Sequence, residues 1–109
     1  MTNNDKVPEL TPHEFEDFIK EDTVLIDFFA EWCMPCLTMA PIIDELSDKF
    51  KGKIKFGKVN IEGNEELAQR FKITSIPNLV LFKEGKPIEQ VVGSRSFEEL
   101  EEKLNKFVE

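Results

Sequence analysis

At 109 residues the chain has room for one domain with one core and not for two. A balance of 14 basic to 22 acidic residues gives a net charge of -8, the wrong sign for a surface that grips a phosphate backbone, so nucleic acid is not an expected partner. Apolar residues make up 40% of the chain and are spread along it, which excludes intrinsic disorder. The N-terminal stretch MTNNDKVPELTPHEFEDFIK contains no apolar signal-type run. The longest apolar stretches, around residues 24–30 and 78–82, fall far short of the roughly 20 residues that span a bilayer. A soluble, cytosolic chain forming a single domain over residues 1–109 is expected.

Thr11-Pro12-His13-Glu14 is a capping box with proline at the first helical position, opening a helix with Phe15, Phe18 and Ile19 inward. Residues 23–29, TVLIDFF, are β-branched, aromatic and almost uncharged, which predicts a strand buried on both faces. Cys33-Met34-Pro35-Cys36 follows at once and starts a helix over residues 34–50. Its expected inward stripe is Leu37, Ala40, Ile43, Leu46 and Phe50, with Pro41 as an expected kink. Residues 53–61 predict a second buried strand and residues 65–71 a short helix. Residues 78–82 and 87–92 predict an antiparallel pair around the turn Lys83-Glu84-Gly85-Lys86. Ser96 and Glu99 form a second capping box for a helix that ends near Phe107, with Phe97, Leu100, Leu104 and Phe107 inward. A βαβ unit followed by a hairpin predicts an α/β fold: one mixed sheet with helices on both faces.

The two cysteines are the only ones in the chain. At the start of a helix, residues three apart share a face, and their Cα atoms fall near 5 Å, inside the disulfide window of about 4.4–6.8 Å. Unpaired N–H groups and the helix dipole favour a thiolate at Cys33, so Cys33 is the expected attacking thiol and Cys36 the resolving one. Pro35 sits in the first turn, where its missing N–H costs nothing. Two rival readings of the residues are a structural zinc site and a pair of inert buried cysteines. Zinc needs about four ligands, and beyond the cysteines the chain offers one histidine, His13, in the first turn of another helix. No metal is expected.

Two polar residues stand against their local pattern. Asp27 interrupts an otherwise uncharged strand, and an unpaired buried carboxylate is costly. Lys58 shares parity with Ile54 and Phe56, so it should point toward their apolar face. The bland alternatives are a polar strand end for Asp27 and a snorkelling side chain for Lys58.

The segment Asp27-Phe28-Phe29-Ala30-Glu31-Trp32-Cys33-Met34-Pro35-Cys36 resembles the active site of the thioredoxin family. Lys58-Val59-Asn60-Ile61, Ser75-Ile76-Pro77 and Val92-Gly93 also fall where that family carries matching elements, so the likeness covers nearly the whole chain. The resemblance implies a thioredoxin fold, a central sheet of four to five strands flanked by four helices. It implies reduction of protein disulfides through a mixed disulfide at Cys33 resolved by Cys36, with no cofactor. Asp27 and Lys58 match the family's buried acid–lysine pair, in which the aspartate takes the proton of the resolving thiol. Trp32, Met34, Pro35, Ile76, Pro77 and Gly93 are the implied substrate surface, with Pro77 as a cis-proline. The implied partners of a monomeric chain are disulfide-bearing proteins and an upstream thioredoxin reductase, with no membrane. An oxidase or isomerase with the same tetrad, a glutaredoxin, and a binding module with idle thiols are the competing functions. Three positions depart from the family pattern: Met34 for the usual glycine, Leu37 for a lysine and Phe29 for a tryptophan.

Overall fold

The computed structural model describes residues 7–108. In chain order the elements are α1 (Pro12–Ile19), β1 (Thr23–Phe29), α2 (Met34–Lys49), β2 (Lys55–Asn60), α3 (Glu65–Arg70), β3 (Asn78–Lys83), β4 (Lys86–Val92) and α4 (Phe97–Asn105). The strands form one sheet in the order β2-β1-β3-β4. β1 and β2 are parallel, as a pair joined through a helical crossover must be, and the other two pairs are antiparallel. Among the described residues a fifth strand is present only as one bridge at the β2 edge. There Leu10 N donates to Lys58 O, and Lys58 N donates to Pro8 O, both at 2.9 Å. The expected mixed sheet with four helices is the observed one, with element ends moved by one or two residues.

Local chemistry accounts for the boundaries. Both capping boxes are formed: Thr11 with Glu14 and Ser96 with Glu99 exchange side-chain and backbone hydrogen bonds, satisfying donors that a helix start leaves unpaired. The β3–β4 turn puts Glu84 at φ 51° and Gly85 at φ 85°, the doubly positive geometry that suits a two-residue hairpin.

The strands alternate their side chains between two apolar layers. Leu25, Phe56, Leu79, Leu81 and Val91 face α2 and α4, meeting Met39, Ile43, Leu46, Leu100 and Leu104. Val24, Ile26, Phe28, Val59, Val80 and Phe82 face the other way, onto Phe15, Ile19 and Leu67 of α1 and α3. β1 is therefore buried on both faces, as its uncharged run predicts.

One expectation is corrected. Leu37 and Ala40 do not lie on the inward stripe of α2: Leu37 is 41% exposed and Ala40 only part-buried. Cys36 and Met39 are buried in their place, beside Ile43, Leu46 and Phe50, which are buried as expected, and α2 continues through Pro41. Both stripes are apolar, so spacing alone does not choose between them. The choice comes from the cysteine pair, which packs with Ala30 and against Phe29, Ile61 and Ile76.

Candidate active site

β1 ends at Phe29, and the chain reaches the first turn of α2 within four residues. Cys33 is the N-cap, in extended conformation at φ -88° and ψ 107°, with Pro35 in the first turn. Cys33 and Cys36 are joined as a disulfide with their Cα atoms 5.2 Å apart. Cys36 N donates to Cys33 Sγ at 3.2 Å. An amide at a helix start thus points at one sulfur, which favours negative charge there once the bond opens. Exposure does not separate the two cysteines, each being 5% exposed. The asymmetry between them is one of hydrogen bonding and helix position, and not of burial.

Trp32 and Met34 flank the disulfide and are 63% and 67% exposed, far outside the usual range for large apolar side chains. Trp32 is held at one point: Nε1 donates to Glu62 Oε2 at 2.7 Å. Glu62 is itself fixed by the loop after β2, where its N donates to Asn60 Oδ1 at 3.0 Å. On the other side of the disulfide, Ile76 packs against the cysteines and the Ile76-Pro77 peptide is cis. Gly93 N donates to Pro77 O at 2.9 Å, and Gly93 sits at φ 91°, a conformation that favours glycine. Asn78, buried at 1%, braces this loop. Its Nδ2 donates to Ser75 O at 3.3 Å and its Oδ1 accepts from Gln90 Nε2 at 3.0 Å.

Trp32, Met34 and Pro35 thus adjoin Cys33 and Cys36 in the chain, Ile76 packs against them, and Pro77, next to Ile76, is hydrogen-bonded to Gly93. Glu62 and Asn78 join them, and the sequence does not single these two out. Asn78 carried a readable signal, a lone amide opening the apolar strand NLVLFK. Glu62 carried none, being one of 22 acidic residues.

Asp27 and Lys58 lie opposite each other in the β1–β2 register. Asp27 is 6% exposed, and its buried Oδ1 has no hydrogen-bond partner among the described residues. Desolvation raises its pKa from 3.8 to about 7, and attraction to Lys58 offsets only part of that rise. Lys58 is part-buried on the face carrying Ile54 and Phe56, as its parity predicts, with Nζ 5.5 Å from the centre of the Phe29 ring. Asp27, Lys58 and the cysteines all belong to the sheet face under α2. Phe29, two residues beyond Asp27 on the same strand face, packs against the cysteine pair. A buried acid with a pKa close to neutrality is a group able to take up and release a proton near neutral pH.

The family model described as Thioredoxin matches residues 6–106. The chain belongs to the thioredoxin family. It is similar to the thioredoxin of Alicyclobacillus acidocaldarius, 42% identical over 96 residues that cover 87% of this chain and 91% of that one. It is similar also to the thioredoxin of Staphylococcus saprophyticus, 37% identical over 100 residues covering 92% and 96%. Its fold superposes on the oxidised mitochondrial thioredoxin 3 of Saccharomyces cerevisiae with a TM-score of 0.86 at 29% identity, covering 96% of this chain and 99% of that one. With this membership and its Cys33–Cys36 pair, the protein is a thiol–disulfide oxidoreductase, a protein-disulfide reductase. Among the described residues no group of three or more His, Cys, Asp or Glu side chains could hold a metal ion, and no helix is long and apolar enough to cross a membrane.

Proposed function

We propose that Cys33, Cys36, Asp27 and Lys58 divide the reaction among them as follows. In the dithiol form Cys33 is the thiolate and attacks one sulfur of a substrate disulfide. The substrate S–S bond breaks, its second sulfur leaves as a thiolate that takes a proton, and Cys33 holds the first sulfur in a mixed disulfide. Asp27 as carboxylate takes the proton of Cys36. The Cys36 thiolate then attacks Cys33 Sγ, releasing the first substrate sulfur as a thiolate that takes a proton and leaving the Cys33–Cys36 disulfide. Two electrons have passed to the substrate. Lys58 limits how far burial can raise Asp27, keeping it a usable base near neutral pH. Trp32, Met34, Pro35, Ile76, Pro77 and Gly93 form the surface that receives the substrate segment. The observation that carries this division of labour is the donation from Cys36 N to Cys33 Sγ, which marks Cys33 as the sulfur at the positive end of α2.

The working setting follows from the chemistry. A reductase must be returned to the dithiol form, so an upstream reductase of the thioredoxin-reductase type and a reducing compartment such as the cytosol are the natural partners of this site. Two apolar layers closed on one sheet, with a radius of gyration of 12.5 Å, support a single domain, which works as a monomer in this reading.

Trapping tests the roles. Cys36→Ser is expected to accumulate a mixed disulfide with insulin at Cys33, whereas Cys33→Ser forms none. A mixed disulfide on Cys36 in the Cys33→Ser protein, with none in Cys36→Ser, would reverse the assignment.

A further inference from the structure

Residues 32–43, WCMPCLTMAPII, are twelve consecutive uncharged residues in a chain that is 33% charged. Part of that run is core, and part is not. Met34, Leu37, Thr38 and Pro41 are exposed, at the spacing i, i+3, i+4, i+7 that aligns side chains on one helix face. Met34 is 67% and Leu37 41% exposed, and the stripe stops at Glu45, the next exposed position of the same face. The outward side of a surface helix ordinarily carries charge; the first two turns of α2 carry an apolar ridge about 10 Å long there. The ridge begins at the disulfide itself, since Met34 directly follows Cys33.

We propose that this ridge is a docking face for the disulfide-bearing substrate, with Leu37 as the residue that selects partners whose cystine is bordered by apolar side chains. The inference rests on the reaction proposed above and extends its surface onto a flank that none of the residues assigned there, apart from Met34, occupies. Continuity fixes the occupant. A protein whose sulfur reaches Cys33 lies over the start of α2, so what it presents on that flank of its cystine meets Met34 and then Leu37. An apolar neighbour covers Leu37, Pro41 and the Thr38 methyl and removes apolar area from water on both sides. A charged neighbour would be stripped of water against a surface with no charge to pair it. The ridge thus discriminates by reward and by penalty.

Two peptide probes of equal length, each closed by one cystine, test this. One carries leucines beside the cystine and the other serines, and dithiodipyridine serves as a disulfide too small to reach the ridge. Leu37→Gln keeps a good helix former at an exposed position and adds no charge that would move the thiol chemistry. It is expected to raise KM for the leucine probe about fivefold, leaving kcat, the serine probe and dithiodipyridine unchanged. Thr38→Leu is expected to lower KM for the leucine probe. The proposal is overturned if neither variant moves KM for the leucine probe, or if Leu37→Gln slows all three disulfides alike. It is overturned too if sedimentation finds a wild-type dimer that Leu37→Gln dissolves with the leucine-probe KM unchanged, because a second copy would then be the occupant. A Cys36→Ser protein that traps neither probe would defeat the proposed reaction rather than the ridge.

Discussion

Asp27 and Lys58 are register partners across β1 and β2, yet no salt bridge within 4 Å joins them. The carboxyl is buried without an ion pair to Lys58, whose Nζ lies near the Phe29 ring. Desolvation outweighs the distant attraction, which is why the acid sits at about 7 and not below its ordinary 3.8.

A raised acid pKa works against stability as pH rises. Between 3.8 and about 7 the unfolded chain has released this proton while the native chain still holds it, so stability falls through that window and levels off above it. The cost is at most roughly 4 kcal/mol at 1.36 kcal/mol per unit. Asp27→Ala removes it. The stability difference between variant and wild type is expected to swing toward the variant between about pH 3 and about pH 8 by up to that amount, read from denaturant melts of the oxidised proteins. The same variant should lose single-turnover rate in reducing insulin, because Cys36 loses its proton acceptor. Equal pH slopes and equal rates would make Asp27 a structural residue only.

Trp32 is the single tryptophan, so its emission reports one side chain. Glu62→Ala deletes the acceptor of its indole N–H. The expected result is lower emission anisotropy and easier acrylamide quenching, with stability unchanged within about 0.5 kcal/mol because the bond is exposed. KM for insulin should rise as the freed ring is ordered only on binding. Wild-type anisotropy in Glu62→Ala would show that packing alone holds the ring.

Asn78 links the hairpin strand β4 to the loop that carries Ile76 and Pro77. Asn78→Ala leaves Ser75 O without its side-chain donor and empties a fully buried position. A loss of about 1–3 kcal/mol is expected in denaturant melts, the usual cost of a buried polar group deprived of its partner. A slower reaction with insulin should accompany it, whereas the Cys33–Cys36 potential, measured against dithiothreitol, should hold. A shifted potential with an unchanged rate would mean that Asn78 acts on the disulfide and not on the loop.

How much of this was readable in advance varied with the kind of information each residue carries. Thr11 and Ser96 announced their helices because a capping box is local, needing only residues three apart. TVLIDFF announced a central strand because burial on both faces leaves no polar alternation. Lys58 could be aimed at the α2 face from parity alone. Leu37 is placed wrongly by spacing, which puts it inward, since α2 is apolar on both candidate stripes and only the packing of Cys36 among Ala30 and Ile76 settles its rotation. Glu62 was hidden for a related reason: its partner lies 30 residues away, and nothing local distinguishes it from its acidic neighbours. The nearness of Ile76, Pro77 and Gly93 to the cysteines came from family likeness, because long-range proximity has no signature in spacing.

The single bridge between Glu9 and Lys58 has a consequence for how this molecule behaves in company. A reductase spends its working life against partly opened chains, which are short of strand partners. An open sheet with free rims invites such chains to add themselves as extra strands. Here Pro8, Glu9 and Leu10 lie along the β2 rim and take up Lys58 N and Lys58 O. At the opposite rim β4 carries Pro87, which has no N–H to offer, and pairs with β3 through an irregular register at Leu81 and Phe82. Neither rim presents an uninterrupted row of free backbone groups to a passing strand.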